Sequence, residues 1–185
     1  MRLRYELTLK GCEPIRDCSA VDLGTGPGHY AVAVAKRGAR RVVGVDFAEG
    51  MIAIARRHAE RAGVASQCEF HVGDIIAYDF RETFDYAILM GLMDYIAEPR
   101  TLIDKVLSIT TRRAFFSFPA VGGLLAWQRR LRYRSRCSLY LYREEEIRSL
   151  FEGTAAVRVD VVKIARDFFV TAHLPGSERM TLASR

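Results

Sequence analysis

Apolar residues along the chain fall by turns into short continuous runs and longer stretches of helical spacing, the pattern of strands alternating with helices. Ala20 to Leu23 reads as a short strand, and Tyr30 to Arg37, dense in alanine and valine, as a helix ended by Gly38. Arg41 to Val45 is the next strand, closed by Asp46. Glu49 to Ala62 follows as a helix with Met51, Ile52 and Ile54 on its apolar side and Gly63 at its end. Cys68 to Val72 makes a third strand. Phe84 to Met90 is an apolar run broken only by Asp85, as suits a central strand buried on both faces. Pro99 opens a helix whose apolar face is Leu102, Ile103, Val106 and Leu107, and Arg113 to Phe118 is a fifth strand halted by Pro119. After a looser stretch, Glu144 to Phe151 resumes helical spacing, and two strands, about 156 to 164 and 167 to 173, finish the pattern. The opening is ambiguous, because Leu3, Tyr5, Leu7 and Leu9 alternate as in a strand while Leu3 and Leu7 share a helix face. Strand and helix in alternation predict an α/β fold, a parallel sheet covered by helices.

With 185 residues, half of them hydrophobic, the chain suits one domain over 1–185, with a lead-in at 1–18 and a variable segment at 120–142. It has no run of about 18 apolar residues to span a membrane, and MRLRYELTLK lacks the apolar block of a signal peptide, so a cytoplasmic protein is expected. Cys12, Cys18, Cys68 and Cys137 are scattered without a C-x-x-C pair, which predicts reduced thiols and no metal site. The net charge of +6 favours acidic partners.

The most informative segment is Val21-Asp22-Leu23-Gly24-Thr25-Gly26-Pro27-Gly28, a strand end followed by glycines at alternate positions. Such glycines let the backbone turn sharply and press against a nucleotide-like ligand. A dinucleotide fingerprint needs glycine or alanine three places after its second glycine, where this chain has His29, and a carboxylate at Asp22 would repel a diphosphate. The D-x-G-x-G-x-G string resembles motif I of the class I methyltransferases that use S-adenosylmethionine (SAM). That resemblance spans roughly residues 15 to 173. It implies a three-layer Rossmann-like sandwich on a seven-stranded, mostly parallel sheet with the last strand antiparallel, and favours a helix for the opening segment.

The resemblance also implies a cofactor site. The loop of Gly24, Thr25, Gly26 and Gly28 would wrap the methionine half, with Asp22 near its ammonium group. Asp46, 22 residues after Gly24, would accept both ribose hydroxyls, and Phe47 would pack on adenine. Asp74 would accept from the adenine amino group with Ile75 on the ring, Met51 joins the cofactor set, and Met90 stands where cofactor meets substrate. For catalysis the candidates are His29, just after the glycine loop, and Asp94 and Tyr95, after the fourth strand; each also has a plain structural reading as a helix start or a turn. His58, in a charged stretch, reads as solvated, and His71 and His173 as structural.

Met90-Gly91-Leu92-Met93 lacks the Asn/Asp-Pro-Pro-Tyr signature used on planar amines, which favours oxygen or carbon acceptors. Arg129 to Arg136 holds five arginines in eight residues, flanked by Trp127, Tyr140 and Tyr142. It reads equally as a solvated surface or as an acceptor wall in which Arg132, Tyr133 and Arg134 bind an acidic or lipid-linked small molecule. Compared with quinone and magnesium-porphyrin methyltransferases, the lead-in is short, which leaves three expectations: a fragment, a covering partner or second copy, or an arginine-rich lid. The expected function is methyl transfer from SAM to a small, acidic acceptor, on oxygen. The alternatives are a silent SAM-binding protein, a nicotinamide oxidoreductase, and an RNA methyltransferase whose affinity would be strongly salt-dependent.

Overall fold

The computed structural model describes residues 2–121 and 140–177. The ambiguous opening is a helix, α1 (Arg2–Gly11). There follow β1 (Ser19–Leu23), α2 (His29–Lys36), β2 (Arg41–Asp46), α3 (Glu49–Arg61), β3 (Cys68–Val72), β4 (Phe84–Leu89), α4 (Pro99–Ser108), β5 (Thr110–Pro119), α5 (Glu144–Phe151), β6 (Arg158–Ile164) and β7 (Asp167–His173). Their strands form one seven-stranded sheet in the order β3-β2-β1-β4-β5-β7-β6. Every pairing from β3 to β5 is parallel, and β7 runs antiparallel to both neighbours, as the family resemblance implies. The order reverses at β1, which pairs with β2 on one side and β4 on the other. Loops that leave these strands in opposite directions open a crevice at their carboxyl ends, the place where open α/β sheets bind ligands.

Helices cover both faces because the central strands are apolar on both. Val21, Leu23, Val43 and Val45 face a core completed by α4 and α5, whereas Ala20, Val42, Tyr86 and Ile88 face one completed by α1, α2 and α3. Alternate strand residues thus serve opposite layers. The α1 side is closed by Leu9, Cys12, Ile15 and Cys18, all buried.

On α3 the apolar face differs from the sequence reading. Ile52, Ala55 and Ala59 are buried, while Met51 and Ile54 are 42% and 36% exposed. The reason is close approach: α3 lies so near the glycine loop that a Cβ on Gly28 would stand 3.0 Å from Ala55 Cβ. At the point of contact only a small side chain fits, so Ala55 faces the loop while Met51 and Ile54 turn outward. β5 also begins at Thr110, three residues before the Arg113 start read from the sequence, since its polar start is held by the Arg112–Asp85 ion pair and by Arg113 Nη1 donating to Gly11 O. None of the described helices is long and apolar enough to cross a membrane.

Candidate functional site

The loop after β1 is fixed by its backbone and by two carboxylates. Gly24, Gly26 and Gly28 all have positive φ, and Gly26 and Gly28 show why the residue type matters. Gly28 needs both its φ of 77° and its missing side chain to pack on Ala55, whereas the Cβ direction of Gly26 points into open space. Gly24 and Thr25 donate their N–H groups to Val45 O, which binds the loop to the end of β2.

Asp22 lies beneath this loop, 2% exposed. Its Oδ2 accepts from Thr25 Oγ1 at 2.7 Å and from Ala31 N at 3.2 Å. Burial pushes its carboxyl pKa up to about 6 despite those two hydrogen bonds, and the nearby Asp46 charge adds to the rise. Asp46 closes β2, with Oδ2 accepting from Gly26 N at 2.8 Å and Oδ1 from Ala48 N at 2.9 Å. Each oxygen keeps a second lone pair. Gly73 N donates to Asp46 O, and Asp74 then folds its own loop, with Oδ1 accepting from Ile76 N and its carbonyl from Tyr78 N.

These segments line the carboxyl edge from β1 to β3. Phe47 is 83% exposed beside Asp46, and Met51 is exposed one helical turn on, so two large apolar side chains stand uncovered next to the carboxylates. Ile75 instead belongs to the hydrophobic core with Leu23 and Val45. Met90, just past β4, packs partly buried against the other core.

The three catalytic candidates separate. Asp94 and Tyr95 line a cavity of about 250 Å³ at the ends of β4 and β5, together with Arg4, Gly91, Ser117 and Asp167. Asp94 is 4% exposed. His29 starts α2 and lines a different groove, of about 480 Å³, with Arg2, Tyr5, Lys36 and His58. There its ring stands edge-on to His58 at 5.3 Å. His58 is not simply solvated: its Nδ1 contacts Pro27 O at 3.2 Å, so it buttresses the glycine loop. His173 is nearly buried, with Nε2 at 2.7 Å from Asp160, and burial lowers its pKa. His71 is partly exposed beside Glu69. Arg132, Tyr133 and Arg134, the acceptor wall of the sequence reading, lie outside the described residues.

Two residues at the site escape sequence reading. Arg4 reaches from α1 to the far end of the sheet, where Nη1 donates to Ser117 Oγ at 3.2 Å and to Asp167 Oδ2 at 3.4 Å. It also hydrogen-bonds Tyr30 and lines both cavities, and its buried Nε has no partner among the described residues. Nothing in the polar lead-in marks it. Ser117 accepts as well from Gly91 N at 2.8 Å, which sets the turn after β4. Its signal was present, a lone polar residue amid Phe115, Phe116 and Phe118.

The sequence profile of the methyltransferase domain matches residues 20–112, half of the chain. A ubiquinone biosynthesis O-methyltransferase of Dinoroseobacter shibae is 33% identical over 95 residues, 51% of this chain and 38% of that protein. The corresponding enzyme of Coxiella burnetii is 32% identical over 106 residues, 56% of this chain and 42% of that protein. The matched stretch is thus less than half the length of these relatives. Among solved structures, magnesium protoporphyrin IX methyltransferase from Synechocystis PCC 6803 with bound SAH superposes with a TM-score of 0.74 at 19% identity, covering 94% of this chain and 84% of that one. The [4+2]-cyclase SpnF superposes almost as well, at 0.73 and 16% identity over 94% of this chain and 81% of that one. At such identities the likeness speaks for the fold alone, and a fold hosts more than one chemistry.

Proposed function

The chain belongs to the methyltransferase-domain family, in the class I branch whose cofactor is SAM, and from that premise we propose that it methylates an oxygen of a small, acidic molecule. One observation carries the reading. Asp46 and Asp74 stand at the ends of adjacent strands beside an open glycine loop and two uncovered apolar side chains, a donor set suited to ribose hydroxyls, a base amino group and a flat ring. Asp46 takes the ribose hydroxyls on its remaining lone pairs, Asp74 the adenine amino group, and Phe47 and Met51 cover the ring. Asp22 acts through Thr25 and Ala31, shaping the loop that wraps the methionine end and adding negative charge near the ammonium group. When bound, SAM supplies a methyl group on a sulfonium, ready for in-line displacement by a nucleophile.

The chain's own work is alignment and proton handling. The acceptor occupies the cavity of Asp94, Tyr95, Arg4 and Ser117, across the β4 turn from the glycine loop. Asp94 takes the proton that the acceptor hydroxyl loses as its oxygen attacks. Arg166, which lines that cavity beside the Arg4–Asp167 pair, favours an acceptor that carries a carboxylate or phosphate. The O-methyltransferase relatives support oxygen as the methylated atom.

Calorimetric titration with SAM, S-adenosylhomocysteine and NAD tests the cofactor half, with micromolar binding of the first two and none of NAD expected. Methyl transfer from labelled SAM to hydroxylated aromatic carboxylates, against their neutral amides, tests the acceptor half. Binding of NAD in place of SAM overturns the whole reading, and equal turnover of acid and amide overturns the acidic acceptor.

A further inference from the structure

The segment after Asp74 is held by a side chain the mechanism above does not use. Lys105, half-buried on α4, donates from Nζ to Ile76 O at 2.5 Å and to Tyr78 O at 2.6 Å. The same ammonium lies 5.5 Å from the centre of the Phe80 ring. One charge therefore gathers residues two, four and six places beyond Asp74 onto a helix. The other end of the segment is tied to Asp46 O by Gly73 N, and Tyr78 folds back so closely that a Cβ on Gly73 would stand 2.8 Å from its ring. Between these anchors the Asp74 side chain has little freedom, because its Oδ1 and its carbonyl are both bonded within the loop. Burial pushes the Lys105 pKa down, and the neighbouring carboxylates of Asp74 and Asp79 oppose the shift.

We propose that Lys105 is the positioning residue for base selectivity: by drawing the carbonyls of Ile76 and Tyr78 onto α4, it orients Asp74 toward the amino group of adenine. The inference rests on the assignment of Asp74 made above. Lys105 touches no ligand; it acts through the loop. Two charge-assisted hydrogen bonds on one segment are enough to change the population of its ordered form by tenfold or more, roughly, if either is lost.

The test compares S-adenosylhomocysteine with S-inosylhomocysteine, whose base has a carbonyl in place of the amino group, by calorimetry on the full chain. The unmutated protein should prefer the adenosyl ligand by about tenfold or more. Lys105→Met, which keeps the stem and removes the charge, should lose about tenfold in adenosyl affinity and much less in inosyl affinity, so the preference collapses. Lys105→Arg should restore most of it. Amide hydrogen exchange at Ile76 and Tyr78 should quicken in Lys105→Met and, should that variant fold poorly, in Lys105→Gln. An unmutated protein that binds both ligands equally overturns the assignment of Asp74, and this inference with it. A normal preference there that survives in Lys105→Met, or an equal loss of both ligands, overturns the positioning role alone, as does unchanged exchange.

Discussion

Asp22 is a carboxylate kept in a place that resists its charge, so replacing it with the isosteric amide should stabilise the fold and harm the site. Its pKa rises from an ordinary 3.8 to about 6, a little over two pH units, equivalent to about 3 kcal/mol of preference for the neutral form. The folded chain therefore binds this proton more tightly than the unfolded chain does. Between about pH 4 and about pH 6 the native state holds the extra proton, so stability falls as pH rises through that window and is level above it. In Asp22→Asn the side-chain oxygen can still accept from Thr25 Oγ1 and Ala31 N, while the buried charge and its repulsion with Asp46 disappear. Weaker hydrogen bonds to a neutral acceptor offset part of the gain, which leaves a net stabilisation of about 1 to 2 kcal/mol at pH 7. Urea unfolding of both proteins from pH 4 to pH 8 measures this directly: the difference should be near zero or reversed at pH 4 and grow to its full value by pH 6.5. SAM affinity should move the other way, falling about tenfold at pH 7 through the lost attraction for the ammonium group. A variant less stable than the parent at pH 7, with a stability difference independent of pH, would refute the reasoning.

Other substitutions test other parts of the site. Asp46→Ala removes the acceptor of Gly26 and Ala48 N–H as well as the proposed ribose contact, so it should lower the melting temperature by several degrees and weaken SAM binding by about 2 kcal/mol or more, read by thermal melts and calorimetry. Gly28→Ala sets a side chain on a φ of 77° and against Ala55; denaturant unfolding should show a loss of about 2 to 3 kcal/mol. Asp94→Asn should cut methyl transfer by about a hundredfold or more while leaving SAM affinity unchanged, and equal turnover would remove Asp94 from the proton step.

The parallel half of the fold was legible because its signals are local. The strands β1, β2 and β4 are largely apolar runs that lead into glycine or aspartate, and the spacing from Gly24 to Asp46 fits one β-α-β unit. Burial by small residues was not legible: Ala55 and Ala59 carry the α3 seam, while a reading weighted by hydrophobicity selects Met51 and Ile54. Helical periodicity in α1 was masked by a competing alternation. For His58, a charged neighbourhood concealed a contact to Pro27, 31 residues away. Arg4 and Lys105 could not be found at all, since each acts through distant partners and one cation among many carries no pattern.

The hydrogen bonds that shape the two halves of the site span very different lengths of chain. Gly26 reaches Asp46 across 20 residues, whereas Arg4 reaches Asp167 across 163. Contacts between neighbours in sequence form early, and those that close long loops form late. During synthesis the partners of the glycine-loop contacts emerge early, whereas the cavity lined by Arg4 and Asp167 must wait for β7, the last of the described strands, to meet the first helix. One side of the site is thus closed by neighbours in sequence and the other by the two ends of the described fold.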